Sequence, residues 1–180
     1  RDGGQFALGG WDGEVHLFRS DALPPVTLRG HGGRVSALAG LAGGALISGS
    51  WDRQMRLWSV PEPSSRVFEG HTVGVHAVDV SPDGRRGASG GHDDTVRIWD
   101  VATGRERVLR GHTDHVFRVL FSPDGQWVAS SSDDQTVRLW SVDGKTQRVL
   151  RGHRADVEEL AFSSDGAWLA SAGEDDRAWL

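Results

Sequence analysis

The sequence predicts an all-β chain assembled from repeated four-stranded antiparallel units, and three observations support this. Gly-His recurs as Gly30-His31, Gly70-His71, Gly111-His112 and Gly152-His153, at steps of 40, 41 and 41 residues. A near-fixed interval of that length means one structural unit copied in series. Each Gly-His is followed by short β-branched and aromatic runs punctuated by Asp-Gly and polar clusters, the pattern of strands joined by tight hairpins. No window sustains a 3.6-residue apolar period, so no helix is expected.

The elements follow in order within each unit. Val116 to Phe121 reads as a first strand, and Ser122-Pro123-Asp124-Gly125 as the turn after it. Gly supplies the positive φ such a turn needs, and Asp bonds its own backbone. Trp127-Val128-Ala129-Ser130 opens a second strand, and Thr136-Val137-Arg138-Leu139-Trp140 forms a third. Asp143-Gly144 turns the chain into a last strand at Arg148-Val149-Leu150. The preceding unit repeats the order with Val75 to Val80, Ser81-Pro82-Asp83-Gly84, Ala88-Ser89, Thr95 to Trp99, Ala102-Thr103-Gly104 and Arg107-Val108-Leu109. Pro61-Glu62-Pro63-Ser64-Ser65 reads as a longer hairpin connection within the array.

These residues carry a resemblance. Gly-His, a strand, Ser-Pro-Asp-Gly, Ala-Ser, Asp and then Thr-Val-Arg-Ile-Trp-Asp at 95–100 resemble the WD-repeat family of β-propellers. Trp99-Asp100 is the one literal Trp-Asp ending; Trp58-Ser59 and Trp140-Ser141 are variations on it. The resemblance covers essentially the whole chain and implies four-stranded blades set radially around a channel. The expected blades are a partial blade one at 1–28, blade two at 29–68, blade three at 69–109, blade four at 110–150 and a partial blade five at 151–180. Aligning Asp2-Gly3 with Asp83-Gly84 starts the chain inside a hairpin, and a shift of 41 puts the next tryptophan one position past Leu180. About four and a half units result, where the resemblance implies seven, so the chain is expected to be part of a larger one.

Composition narrows the function classes. The net charge of −5 lacks the basic balance of a nucleic-acid binder. No apolar run approaches a membrane span and no leader pattern opens the chain, so a cytoplasmic setting is expected. Cysteine is absent, which removes disulfide and thiolate chemistry. Of the 20 Lys and Arg residues only Lys145 is lysine, a bias that points to a GC-rich and bacterial source.

The constellation closest to chemistry is His, Ser, Asp and Trp. It reads His31, Ser48, Asp52, Trp58 in blade two; His71, Ser89, Asp93, Trp99 in blade three; His112, Ser130, Asp134, Trp140 in blade four; and His153, Ser171, Asp175 in blade five. A Ser-His-Asp hydrolase needs one such set, an oxyanion hole and a strained nucleophile elbow. Here the set recurs in every full unit and no elbow is expected beside it, so the structural reading is preferred. The Asp carboxylate is expected to accept from the His ring, which reaches the Ser hydroxyl, which accepts from the donor-only indole. The resemblance implies the same structural role. Blade one departs from the pattern: Asp12 keeps its place, but Leu8 and Phe18 take the Ser and Trp positions, so apolar packing is expected there. Trp179 falls at the Arg138 position and is expected to pack on a neighbouring blade. Trp127 and Trp168 are expected in second strands, packing between blades. His92-Asp93-Asp94 reads as one polar turn, so neither a metal nor a cofactor is expected.

Binding is the expected function. The residue before each network Asp lies in the turn between strands two and three, which the resemblance places on the top face beside the loop after Gly-His. These residues are Trp11, Trp51, His92, Asp133 and Glu174. Beside them come Arg34 and Ser36, His76, His115 and Phe117, and Asp156 and Glu158. Trp and Arg favour interface centres, because they offer large area and charge-assisted bonds. The expectation is a non-enzymatic interaction scaffold with a protein or peptide partner. The alternative is a sensory or regulatory domain of a larger bacterial signalling enzyme: a kinase, caspase-like peptidase or signalling NTPase.

Overall fold

The computed structural model describes residues 5–19, 24–41, 44–59 and 64–180. The Asp2-Gly3 hairpin and Pro61-Glu62-Pro63 lie outside them. The described residues form five antiparallel sheets and no α-helix. Sheet one holds β1 (Gln5–Gly9), β2 (Val15–Arg19) and β3 (Val26–Leu28). Sheet two holds β4 (Val35–Gly40), β5 (Leu46–Ser50), β6 (Gln54–Ser59) and β7 (Ser64–Glu69). Ser64 and Ser65 therefore belong to a strand and not to the connection: Ser59 pairs Ser64 and Trp58 pairs Ser65 in the ladder. Sheet three holds β8 (Val75–Val80), β9 (Arg86–Gly91), β10 (Thr95–Asp100) and β11 (Glu106–Arg110). Sheet four holds β12 (Val116–Phe121), β13 (Trp127–Ser132), β14 (Thr136–Ser141) and β15 (Gln147–Arg151). Sheet five holds β16 (Val157–Phe162), β17 (Leu169–Gly173) and β18 (Arg177–Trp179). Trp168 thus lies just before β17 and not in it, whereas Trp127 opens β13.

Every sheet is a simple meander, and the first strands β4, β8, β12 and β16 lie side by side. The all-β expectation of propeller-type blades holds, as an array that does not close into a ring among the described residues. Four apolar clusters glue neighbouring sheets. Val15, Leu17 and Leu28 of sheet one meet Val35, Leu46 and Trp58 of sheet two. Ile47, Met55 and Phe68 then meet Val75, Val78 and Trp99. Sheet three meets sheet four through residues that include Ile98, Leu109, Val119 and Trp140. Ala129 and Val137 close against Val157 and Leu160. In each of the first three joins, the tryptophan of the later sheet lies against the earlier sheet. Gly49 lets β8 of sheet three approach sheet two, because a Cβ there would come within 2.6 Å of Val75 Cγ1.

The hairpins follow their residues. After β8, Gly84 N–H donates to the Ser81 carbonyl at 2.8 Å with Gly84 at φ +68°. The Ser81 hydroxyl reaches the Asp83 carboxylate at 2.6 Å. Ser122 and Ser163 repeat the device with Asp124 and Asp165. The turns between second and third strands hold Arg53, Asp94, Gln135 and Asp176 at positive φ, as three-residue hairpin loops ending in a left-handed residue require.

Candidate functional site

The polar networks assemble from four separate segments of each unit. In sheet two, Trp58 Nε1–H donates to Ser48 Oγ at 2.8 Å, Ser48 Oγ lies 2.7 Å from His31 Nε2, and His31 Nδ1 lies 2.8 Å from Asp52. Sheet three repeats this with 2.8 Å at all three links through Trp99, Ser89, His71 and Asp93. Sheet four does the same through Trp140, Ser130, His112 and Asp134. In sheet five His153 contacts Ser171 and Asp175 at 2.9 Å each. A neutral imidazole with Nδ1–H toward the carboxylate satisfies the whole chain. The hydroxyl then donates to Nε2 and accepts from the indole. Each Asp also accepts a backbone N–H just after the His, from Gly32, Thr72, Thr113 or Arg154. In sheets three and four a further member escaped the sequence reading. Thr95 and Thr136 donate their hydroxyls to Asp93 and Asp134 at 2.7 and 2.6 Å. The signal was present as a threonine two residues after each of these Asp residues.

Electrostatics match a buried structural network. Burial pushes the His31 and His112 rings below their ordinary range, against the pull of Asp52 and Asp134. Burial of Asp52 and Asp93 opposes ionisation, but hydrogen bonds outweigh it and hold both carboxyls below the carboxylate range. For Asp52 these come from Gly32, His31 and Gln54; for Asp93, from His71, Thr95 and Thr72.

Residues 87–91 spell Gly-Ala-Ser-Gly-Gly, which corrects the expectation that no Gly-x-Ser-x-Gly run accompanies the networks. The run is no nucleophile elbow: Ser89 lies within strand β9, fully buried, with its hydroxyl occupied by His71 and Trp99.

One further expectation is corrected. Phe18 stacks on Phe6 at 4.8 Å, but Leu8 is 55% exposed and does not pack in place of the missing serine. Its partner across the ladder is His16, whose ring bonds Thr27 at 3.1 Å. Trp179 lies over the loop that opens its own repeat and shares a cavity with Val137 and Leu150 of sheet four. It meets His153 edge-on at 6.3 Å, and a Cβ at Gly152 would sit 3.4 Å from the indole. Trp127 and Trp168 both line a cleft of about 350 Å³ where sheets four and five meet.

The loop residues come together on one face. Trp51 N–H donates to the Arg34 carbonyl, Asp133 N–H to that of His115, and Glu174 N–H to that of Asp156, at 3.0, 3.1 and 2.9 Å. His92 N–H reaches Gly74 at 3.0 Å. Sequence reasoning missed the form of the neighbouring positions. Ser36, His76, Phe117 and Glu158 are each the extra residue of a β-bulge in β4, β8, β12 and β16. A bulge re-aims its side chain out of the alternating pattern. Side chains of this face form a strip. The Arg34 guanidinium lies 4.1 Å from the Trp11 ring and 5.6 Å from Trp51. Trp51 approaches His92 at 5.8 Å, and His92 stacks on His76 at 5.2 Å and on His115 at 4.3 Å. Phe117 meets His76 at 4.7 Å. Beyond His115 the strip turns acidic: Asp133 lies 3.4 Å from His115 Nδ1. Burial and the charges of Asp156, Asp114 and Glu174 push the Asp133 carboxyl up to about 6. Ligand atoms of Asp94, Asp114 and His115 lie within 4.8 Å of one another, while Asp93, the other acid of the turn, belongs to the His71 network.

Comparison with known proteins shows four matches to the family described as "WD domain, G-beta repeat", at residues 23–59, 62–100, 104–141 and 144–180. A phospholipase A-2-activating protein of Xenopus laevis is 36% identical over 81 residues, 44% of this chain and 10% of that protein. A ribosome biogenesis protein WDR12 homolog of Chlamydomonas reinhardtii is 31% identical over 99 residues, 48% of this chain and 22% of that protein. The small ribosomal subunit protein RACK1y of Oryza sativa subsp. japonica is 47% identical over 45 residues, 24% of this chain and 13% of that protein. The matched segments thus span less than a quarter of these relatives' length.

Proposed function

Because the chain belongs to the WD domain, G-beta repeat family, whose members generally bind protein partners, we propose that it is a non-catalytic interaction scaffold. The surface it presents is the face bearing Trp11, Arg34, Trp51, His76, His92, His115, Phe117, Asp133, Asp156, Glu158 and Glu174. The observation that carries this reading is the strip itself. Trp11 is 79% exposed and Trp51 50%, on turns held by backbone hydrogen bonds and bulges. Large aromatic side chains held in solvent on ordered turns lower the entropic cost of docking. The buried Ser-His-Asp sets have every polar atom engaged within the fold, so they serve stability and not turnover. Fold alone does not assign function, so the surface must be tested directly.

The test is affinity capture with the full natural chain, compared with the Trp11→Ala/Trp51→Ala variant. Loss of a reproducible set of captured proteins, with the melting temperature unchanged, supports the face as the docking surface. Capture that survives both substitutions removes it.

A further inference from the structure

The strip has a polarity that specifies more than the presence of a partner. Its one permanent cation, Arg34, lies over Trp11 with Trp51 beside it. No ion pair among the described residues involves Arg34; they lie on Arg29, Arg97, Arg118, Lys145 and the histidines. A guanidinium stacked on an aromatic ring keeps its N–H edges free, and those edges match a carboxylate through two parallel bonds. Trp51 is itself seated, because Gly74 of the next sheet leaves room where a Cβ would stand 3.2 Å from Trp51 Cα. The arginine is therefore fixed before any ligand arrives. At the other end Asp133, Asp156 and Glu174 crowd together, and Asp133 Oδ1 is buried with no hydrogen-bond partner.

We propose that this face recognises an extended peptide of mixed charge. A carboxylate side chain docks on Arg34 between Trp11 and Trp51, and a lysine or arginine further along docks against Asp133, Asp156 and Glu174. The proposal rests on the scaffold reading and names the chemistry of its partner. A carboxylate fits better than a phosphate for two reasons. One guanidinium offers a single two-pronged edge. The imidazoles next to it add no fixed charge at neutral pH, because burial holds His76 and His92 below their ordinary range and neighbouring positive groups add to this. A dianion would meet one cation and an acidic neighbourhood.

The test is selection of a random twelve-residue peptide library displayed on phage against the full natural chain. Arg34→Gln, Arg34→Lys, Asp133→Asn and Trp11→Ala/Trp51→Ala variants are run in parallel, each checked by thermal melting. Enriched peptides are expected to pair an Asp or Glu with a downstream or upstream Lys or Arg. Arg34→Gln should erase the acidic preference, Arg34→Lys should weaken binding of the leading peptide at least tenfold, and Asp133→Asn should relax the basic preference. Enrichment without charge preference, lost in the double tryptophan variant, overturns this proposal and leaves the scaffold face standing. No enrichment over the double tryptophan variant overturns both. In fluorescence anisotropy, a phosphoserine in place of the acidic residue that binds more than tenfold tighter overturns the carboxylate assignment.

Discussion

His112 shows what a single side chain contributes. Its ring joins the Asp134 carboxylate to the Ser130–Trp140 pair, and the side chain is fully buried. Truncation leaves the Ser130 hydroxyl and one carboxylate oxygen without that partner, in a space closed to water. His112→Ala should cost about 1–3 kcal/mol of stability, read by urea or thermal unfolding. An unchanged midpoint would show that the network contributes nothing. This network was legible in the sequence because Ser, Asp and Trp recur at a fixed spacing in all three full units, which leaves few alternatives. Thr95 and Thr136 were read only as strand openers, since a hydroxyl two residues from an acid is too common a pattern to stand out. Leu8 misled for a different reason. Its alignment with Ser48 is correct, but an aligned position does not guarantee burial: Phe18, at the Trp position, stacks on Phe6, and Leu8 stays exposed.

Strand elements were readable almost residue by residue, because Asp-Gly turns and β-branched runs mark their ends. What stayed hidden is how one element grips the next. Arg66 on β7 reaches across to the β10–β11 turn of sheet three, donating to the carbonyls of Val101, Ala102 and Thr103. One repeat later Arg107 lies against Gly144, where a Cβ would stand 2.7 Å from its Cδ. Arginine recurs 41 residues apart at 66, 107 and 148, yet period alone does not reveal that the guanidinium leaves its own sheet. Arg66→Ala should raise amide exchange at residues 101–104 while leaving β9 and β10 protected. Equal acceleration throughout sheet three would mean the clasp acts globally. The bulges at Ser36, His76, Phe117 and Glu158 were hidden likewise, since an extra residue in a ladder leaves no compositional mark.

For the whole molecule, pH sets stability through groups of opposite sign. His31 and His112 bind protons less readily folded than unfolded. Their contribution is intact above about pH 6.5 and is lost as pH falls below it. Asp52, Asp93, Asp134 and Asp175 are held below 3.8, so a second loss opens under that pH. Asp133, pushed up to about 6, runs the other way: its ionised form weakens the fold at pH 7, and the penalty fades as pH falls through that value. The melting temperature should decline from pH 7.5 to pH 5, and more steeply in Asp133→Asn. A rise over that interval in the unaltered chain would mean that Asp133 outweighs the buried histidines.

The direction in which the tryptophans point has a consequence for how the chain is made. Trp58, Trp99 and Trp140 each lie against the sheet that precedes their own in sequence. A ribosome releases that earlier sheet first, so each new indole emerges to find its surface already in place. Folding can then follow synthesis at a lag of about one repeat, with none of these three indoles waiting in water for sequence still to come. A circularly permuted gene that reversed this order for one join would remove that advantage while keeping every contact of the finished array.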